Sequence, residues 1–257
     1  MSSLLTAGVV FACALGAAVV AMLFARRLPG HHLSGESKDV VKLGLGMIAT
    51  LTALVLGLLV ASAKSTYDAQ NASVKQMAAN VSLLDRALTA YGPEAKELRV
   101  LLRELVAQII ERIWPAANRR SGDLSVAGTR EAGDLFFGKL TQLEPKTDAQ
   151  RALKGRSMDL SVELAKTRYQ MQAQNDNPVP VPFLVVLALW LAVLFAGYGL
   201  LAPRNPTVIA VLVVCALSIS GALFLVLELG RPFAGVIQVP SAPLEQALSQ
   251  IARDPPK

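Results

Sequence analysis

Asp39-Val40-Val41-Lys42-Leu43-Gly44-Leu45-Gly46-Met47-Ile48-Ala49-Thr50-Leu51-Thr52-Ala53-Leu54-Val55-Leu56-Gly57-Leu58-Leu59-Val60-Ala61-Ser62-Ala63-Lys64 holds an uncharged run, Leu43–Ala63, between two lysines. A bilayer core of about 30 Å takes roughly 20 helical residues at about 1.5 Å each, so the run is long enough to span it. The segment just after Lys64 decides the fold. From Ser65 to Tyr91 there is neither proline nor glycine, and Val74, Met77, Val81, Leu84, Leu88 and Tyr91 recur at alternating spacings of three and four. That is the a/d seam of a helix packed in water. One continuous helix from about Asp39 to Tyr91, on the order of 80 Å long by its rise per residue, is expected to begin in lipid and end in a soluble bundle.

Three more runs complete the membrane part. Leu4–Ala25 has no charge and is followed at once by Arg26-Arg27. No basic segment precedes it, and it is too long for a signal peptide. Phe183–Ala202 and Thr207–Leu227 are separated only by Pro203-Arg204-Asn205-Pro206, which predicts a tight helical hairpin. The expected fold is all-α, an integral membrane protein with four transmembrane helices and a soluble helical bundle inserted between the second and third. Residues 1–63 contain spans 4–25 and 43–63, residues 64–180 the insert, residues 181–230 spans 183–202 and 207–227, and residues 231–257 a tail. Arg26, Arg27 and Lys38 come after an N-terminus free of Lys and Arg, so the positive-inside bias places the first loop in the cytoplasm.

Composition agrees with this division. The 257 residues are 53% hydrophobic and 17% charged, with a mean hydropathy of +0.45, whereas an ordinary soluble domain carries about 25% charged residues. Of 25 Lys/Arg and 19 Asp/Glu, 17 and 14 lie within residues 64–180. Disorder, a secreted disulfide scaffold and a soluble enzyme with one large core are excluded. Cys13 and Cys215 lie in apolar runs and read as small buried hydrophobes. The pI near 9.5 does not point to nucleic acid, because the basic residues alternate with acids and no aromatic stacking set accompanies them.

The rest of the insert also reads as helix. Gly92-Pro93 punctuates two helices. Leu98, Leu102, Leu105, Ile109 and Ile113 share a face that ends before Pro115, and Ala116–Arg130 reads as loop. Leu135, Phe136, Leu140 and Leu143 define a short helix. Thr147 or Asp148 caps a long one with Leu153, Leu160, Leu164 and Met171, in which Ser157 and Thr167 interrupt the stripe. In the tail, Leu244, Leu248 and Ile251 make a short amphipathic helix, expected to pack on the insert.

Three constellations are candidates for function. At about 100° per residue, Asp39, Lys42, Gly46, Thr50, Ala53, Gly57, Ala61 and Lys64 fall on one stripe of the second span, interrupted by Val60. Small residues there serve either close helix packing, with Gly8, Ala12 and Gly16 of the first span as a matching face, or the wall of a pore whose lysine rings favour anions. His31, His32 and Glu36, beside Ser34 as a helix cap, form a candidate cation or proton site. Glu228 and Arg231 stand three residues apart at the edge of the fourth span, as an interfacial pair. No phosphate loop, nucleophile elbow or metalloprotease motif is present. A non-enzyme without a cofactor is expected, and a metal is left open.

The run His31–Gly46, the segment Leu54–Lys64 and Leu229-Gly230-Arg231-Pro232-Phe233-Ala234-Gly235 together resemble a bacterial membrane-protein family labelled bestrophin-like. The resemblance covers nearly the whole chain. It implies a multi-pass protein of the bacterial inner membrane, and the label links it to bestrophins, pentameric anion channels gated by calcium. No bestrophin functional residue carries over position by position: Ile48, Leu51 and Leu54 are the only bulky candidates for a neck, and Glu228, Glu245 and Asp254 are too scattered for a calcium clasp. The leading expectation is an oligomeric, anion-conducting channel with the second span near its axis, its partners the bilayer and further copies of itself. The alternative is a non-conducting scaffold whose insert binds a protein partner.

Overall fold

The computed structural model describes residues 3–25, 35–114, 126–175, 181–203 and 205–253. Among them are eight α-helices and no strand: α1 (Ser3–Phe24), α2 (Gly35–Tyr91), α3 (Lys96–Ile113), α4 (Val126–Thr141), α5 (Asp148–Asn175), α6 (Val181–Leu201), α7 (Pro206–Leu229) and α8 (Ala242–Arg253). The chain divides into two compact units, Met1–Thr66 with Pro178–Arg231, and Tyr67–Asn177 with Pro232–Lys257. Helix α2 runs unbroken for 57 residues and contributes to both.

The first unit holds four helices long and apolar enough to cross a membrane, α1, α2, α6 and α7. Its backbones come closest where α1 meets α6 and α7. The contact is built from small residues: Ala14 and Ala18 of α1 are buried with Phe195 of α6 and Leu212 and Ala216 of α7. A Cβ on Gly199 would overlap the Ala18 carbonyl oxygen, so only glycine lets the two backbones approach this far. The tightest partner of both α6 and α7 is therefore α1, rather than each other as the short connection between them predicts. The expected pairing of Gly8, Ala12 and Gly16 with the stripe on α2 does not form within the chain. All three are exposed, and a Cβ on Gly8 or Gly16 would meet nothing. Helix α1 buries the face carrying Ser3, Ala7, Ala14 and Ala18 instead. Cys13 and Cys215, expected to be buried, are exposed on these helices. The burial habits of soluble cores do not govern a surface that lipid can cover.

The second unit is a helical bundle with a single core. All six seam residues of α2 are buried, Val74, Leu84 and Leu88 completely, and they pack with Leu98, Leu102, Val106 and Ile113 of α3, Phe136 and Leu140 of α4, and Leu160 and Met171 of α5. Gly92 turns the chain with φ +119°, a left-handed conformation open to glycine, and Pro93 opens a 3₁₀ turn, Pro93–Ala95, leading into α3. Under this turn lies an ion pair that hydrophobic periodicity does not reveal. Arg99 of α3 donates from Nε to Asp85 Oδ1 of α2 at 2.7 Å and from Nη2 to Oδ2 at 3.3 Å, with both residues buried. A guanidinium forked onto a carboxylate fixes α3 against α2 in one register.

Helix α4 begins at Val126, inside the segment expected to be loop; Gly128 is accommodated in its first turn, at a helix penalty of about 1 kcal/mol relative to alanine. Leu135, expected on its apolar face, is 52% exposed, and Phe136 and Leu140 carry the contact. Ser157 and Thr167 do sit in the buried stripe of α5, where their hydroxyls donate to the carbonyls of Leu153 and Glu163, both at 2.9 Å. Such back-bonding is how a hydroxyl is tolerated in a helical core. Thr147 caps α5, its Oγ1 accepting from the Gln150 N–H at 3.1 Å. The tail packs in this unit: Leu244, Ala247 and Ile251 of α8 join the core, Trp114 donates from Nε1 to the Val239 carbonyl at 2.7 Å, and its ring meets Phe233 edge-on.

Candidate functional site: an uncovered face of α2

Around its axis, the membrane part of α2 has three faces. Leu45, Thr52 and Ala63 are buried, and Leu56 and Leu59 beside them pack on Leu187 and Leu191 of α6 and Leu223 of α7. A Cβ on Gly197 of α6 would collide with the Leu45 side chain, which marks how closely that face is held. Roughly 120° away, at about 100° per residue, lies the stripe of small residues. Every predicted member of it, Asp39, Lys42, Gly46, Thr50, Ala53, Gly57, Ala61 and Lys64, is exposed. A Cβ added to Gly46 or Gly57 would meet only open space. The third face, next to the stripe, carries Leu43, Met47, Leu51, Leu54 and Leu58, 47–73% exposed. Only 11% of the most apolar stretch of α2 is buried within the chain, against 22–28% for α1, α6 and α7. Of the four candidate spans, α2 is covered least.

The stripe's polar groups are partly satisfied along the helix. Thr50 donates to the Gly46 carbonyl at 3.0 Å. Lys42 Nζ lies 3.0 Å from Asp39 Oδ1, with both side chains mostly exposed. Such a solvated pair is worth about 0–1 kcal/mol and holds the ammonium loosely.

His31, His32 and Ser34 lie outside the described residues, and Glu36 is exposed in the first turn of α2, where an acid favours the helix dipole. Among the described residues no group of three or more His, Cys, Asp or Glu is placed to hold a metal. Glu228 is 4% exposed near the end of α7, while Arg231 is exposed just beyond it; the Arg231 N–H donates to the Glu228 carbonyl at 2.9 Å, closing the helix.

Sequence reasoning passed over two features. Gly197 and Gly199 are the glycines that closest packing requires, and the signal for them was the Ala14-Ala18 spacing on α1, two residues out of step with Gly8-Ala12-Gly16. Arg168, by sequence no more than a charge ahead of the third span, lines a cavity in the bundle.

Among curated proteins none matches the chain in sequence. In fold it is similar to crystal structures of a bacterial bestrophin homologue from Klebsiella pneumoniae. One point variant matches with a TM-score of 0.69 at 14% identity, covering 98% of this chain and 96% of that one. Another matches with a TM-score of 0.67 at 16% identity, covering 98% and 97%. A crystal structure described as a membrane protein matches with a TM-score of 0.67 at 14% identity, covering 96% of each chain. The Bestrophin-like domain matches residues 12–244, nearly the whole chain, and the chain belongs to the bestrophin-like family.

Proposed function

We propose that the protein is an oligomeric channel of the bacterial inner membrane, selective for anions, in which copies of α2 surround the axis. In this reading residues 4–25, 43–63, 183–202 and 207–227 span the bilayer and residues 64–180 form the soluble insert. The observation that carries it is the uncovered stripe of α2, small and weakly polar through the depth of a membrane, with a lysine at each end. A bulky apolar face stands next to it, suited to a neighbouring copy or to lipid. Family membership supports the same reading.

In a symmetric assembly Lys42 and Lys64 become two rings of positive charge, which concentrate anions in a narrow, low-dielectric opening. Asp39 beside Lys42 reduces that field. Purified protein in liposomes is expected to pass chloride in preference to potassium, and Lys42→Glu or Lys64→Glu to move the reversal potential toward cations. If a verified oligomer gives no current above empty liposomes, or a preference indifferent to both substitutions, the lysines are interfacial anchors and the non-conducting scaffold replaces the channel.

A further inference from the structure

Between α7 and α8 a short loop, residues 232–239, turns its apolar surface outward. The chain carries no charge from residue 232 to residue 244. The Val239 N–H donates to the Pro232 carbonyl at 2.8 Å and closes the loop at its base. Across the tip, Gln238 donates from Nε2 to the Gly235 carbonyl at 2.9 Å, and Gly235 turns with φ +146°, a conformation open to glycine. Two aromatic side chains clamp the loop: Tyr67 donates from its hydroxyl to the Gln238 carbonyl at 3.2 Å, and Trp114 from Nε1 to that of Val239 at 2.7 Å. Four carbonyls of the loop thus accept from protein donors, while Ala234, Gly235 and Val236 are exposed. Of the large apolar residues described, Val236 is the most exposed, at 82%. Water favours the reverse, apolar groups hidden and backbone polar groups solvated. A bilayer surface favours what is seen, because lipid tails offer the backbone no hydrogen bonds.

We propose that residues 234–236 insert into the bilayer interface, where headgroups meet acyl chains. Position along the chain identifies the occupant. The chain enters the bundle unit at Tyr67 and again at Pro232. Tyr67 comes three residues after Lys64, which closes the apolar run of α2, and Pro232 three residues after the end of α7 at Leu229. The first of these entry residues is a clamp on the loop and the second is its base, so the loop is fastened at both. Val236 stands four residues past Pro232, within about 15 Å of it even at full extension. A second copy of the chain suits the tip less well. A stable protein interface buries about 800 Å² on each partner, far more than one valine and two small neighbours offer, whereas a bilayer sets no such minimum. The proposal rests on α2 and α7 crossing the bilayer, and not on conduction.

The test places one polarity-sensitive dye at a time on the full chain in phosphatidylcholine nanodiscs. Val236→Cys is labelled in a Cys13→Ala, Cys215→Ala background. The native Cys215 of α7, labelled in Cys13→Ala, reports the span, and Val100→Cys, at a position 47% exposed on α3, reports the bundle. Nitroxide-bearing lipids and aqueous iodide are the two quenchers. The dye at 236 is expected to be several-fold better protected from iodide than the dye at 100, and to be quenched by shallow nitroxides at a depth of about 5–10 Å. Ala234→Cys should behave in the same way, and adding Val236→Asp should return its dye to iodide, which separates insertion by the loop from insertion by the dye. A dye at 236 as open to iodide as the one at 100 overturns the proposal. So does one shielded from iodide but untouched by lipid nitroxides, which marks a covering copy of the chain, or a dye at 234 that Val236→Asp leaves in place. If the dye on Cys215 is also beyond the lipid quenchers, the span reading falls with the proposal; if Cys215 is quenched, only the loop proposal falls.

Discussion

The two parts of α2 obey different rules. From Tyr67 to Tyr91 the large apolar residues of the seam, Val74, Met77, Val81, Leu84 and Leu88, are buried, and Leu83 off the seam is exposed. From Gly35 to Thr66 many of its large apolar residues face out, and the small residues share that exposure. In water, burying a leucine is worth about 1.5–3 kcal/mol, so a seam of leucines defines the core. Lipid tails are as apolar as leucine, so in a membrane a leucine gains little by turning inward, and association rests on close van der Waals contact between small residues. The periodicity of large residues therefore locates the core of the bundle and says little about the membrane unit.

Substitutions can break this contrast, and the largest effect is expected at the buried ion pair. Arg99→Ala leaves the Asp85 carboxylate buried and unpaired, which should destabilise the bundle by about 3–5 kcal/mol in a denaturant melt. Replacing both residues by apolar ones of similar volume should recover most of that loss.

The next pair tests the two parts of α2 directly. Leu84→Ala, at a fully buried position, should cost about 2–5 kcal/mol. Leu54→Ala, 66% exposed in the membrane part, should leave the melting of the chain within about 0.5 kcal/mol of wild type. Equal losses at the two positions would show that a second copy covers Leu54 as fully as the bundle covers Leu84.

Glycines sharpen the comparison within the membrane unit. Gly199→Ala forces α6 away from α1 and is expected to destabilise by about 1–3 kcal/mol. Gly57→Ala meets no atom of its own chain and should leave the fold intact. Gly57→Leu should then act only on assembly or on flux, read by size-exclusion chromatography and liposome currents.

The smallest effect concerns pH. The Glu94 carboxylate is held below its ordinary value by its own backbone N–H and then by Lys146, whose Nζ lies 3.0 Å away. A depressed acid adds stability that is present above the usual glutamate range near 4.5 and is lost as pH falls through its lower folded value. Lys146→Gln should therefore move the acid-unfolding midpoint of the bundle slightly upward, with no change at neutral pH beyond that of a surface pair.

Much of the candidate site was legible in advance, because the positions of Gly46, Thr50, Ala53 and Gly57 on one stripe are set by helical geometry alone. What that stripe touches was not legible. Two small-residue faces, Gly8-Ala12-Gly16 and Ala14-Ala18, compete on α1, and sequence spacing ranks them equally. The structure seats the second against α6 and α7 and leaves the first, like the stripe on α2, uncovered.

The sequence by itself determined the helical class, the four apolar runs, the seam of the bundle and its turn at Gly92-Pro93. Each of these depends on neighbours within a few turns of one chain, where period, length and backbone preference act directly. Only the tertiary structure decided that Gly199 meets Ala18, that Asp85 is paired with Arg99, and that Val81, Phe137 and Arg168 line one chamber. Those depend on the distance and angle between helices far apart in sequence, which side-chain volume at the contact fixes and one-dimensional pattern does not carry.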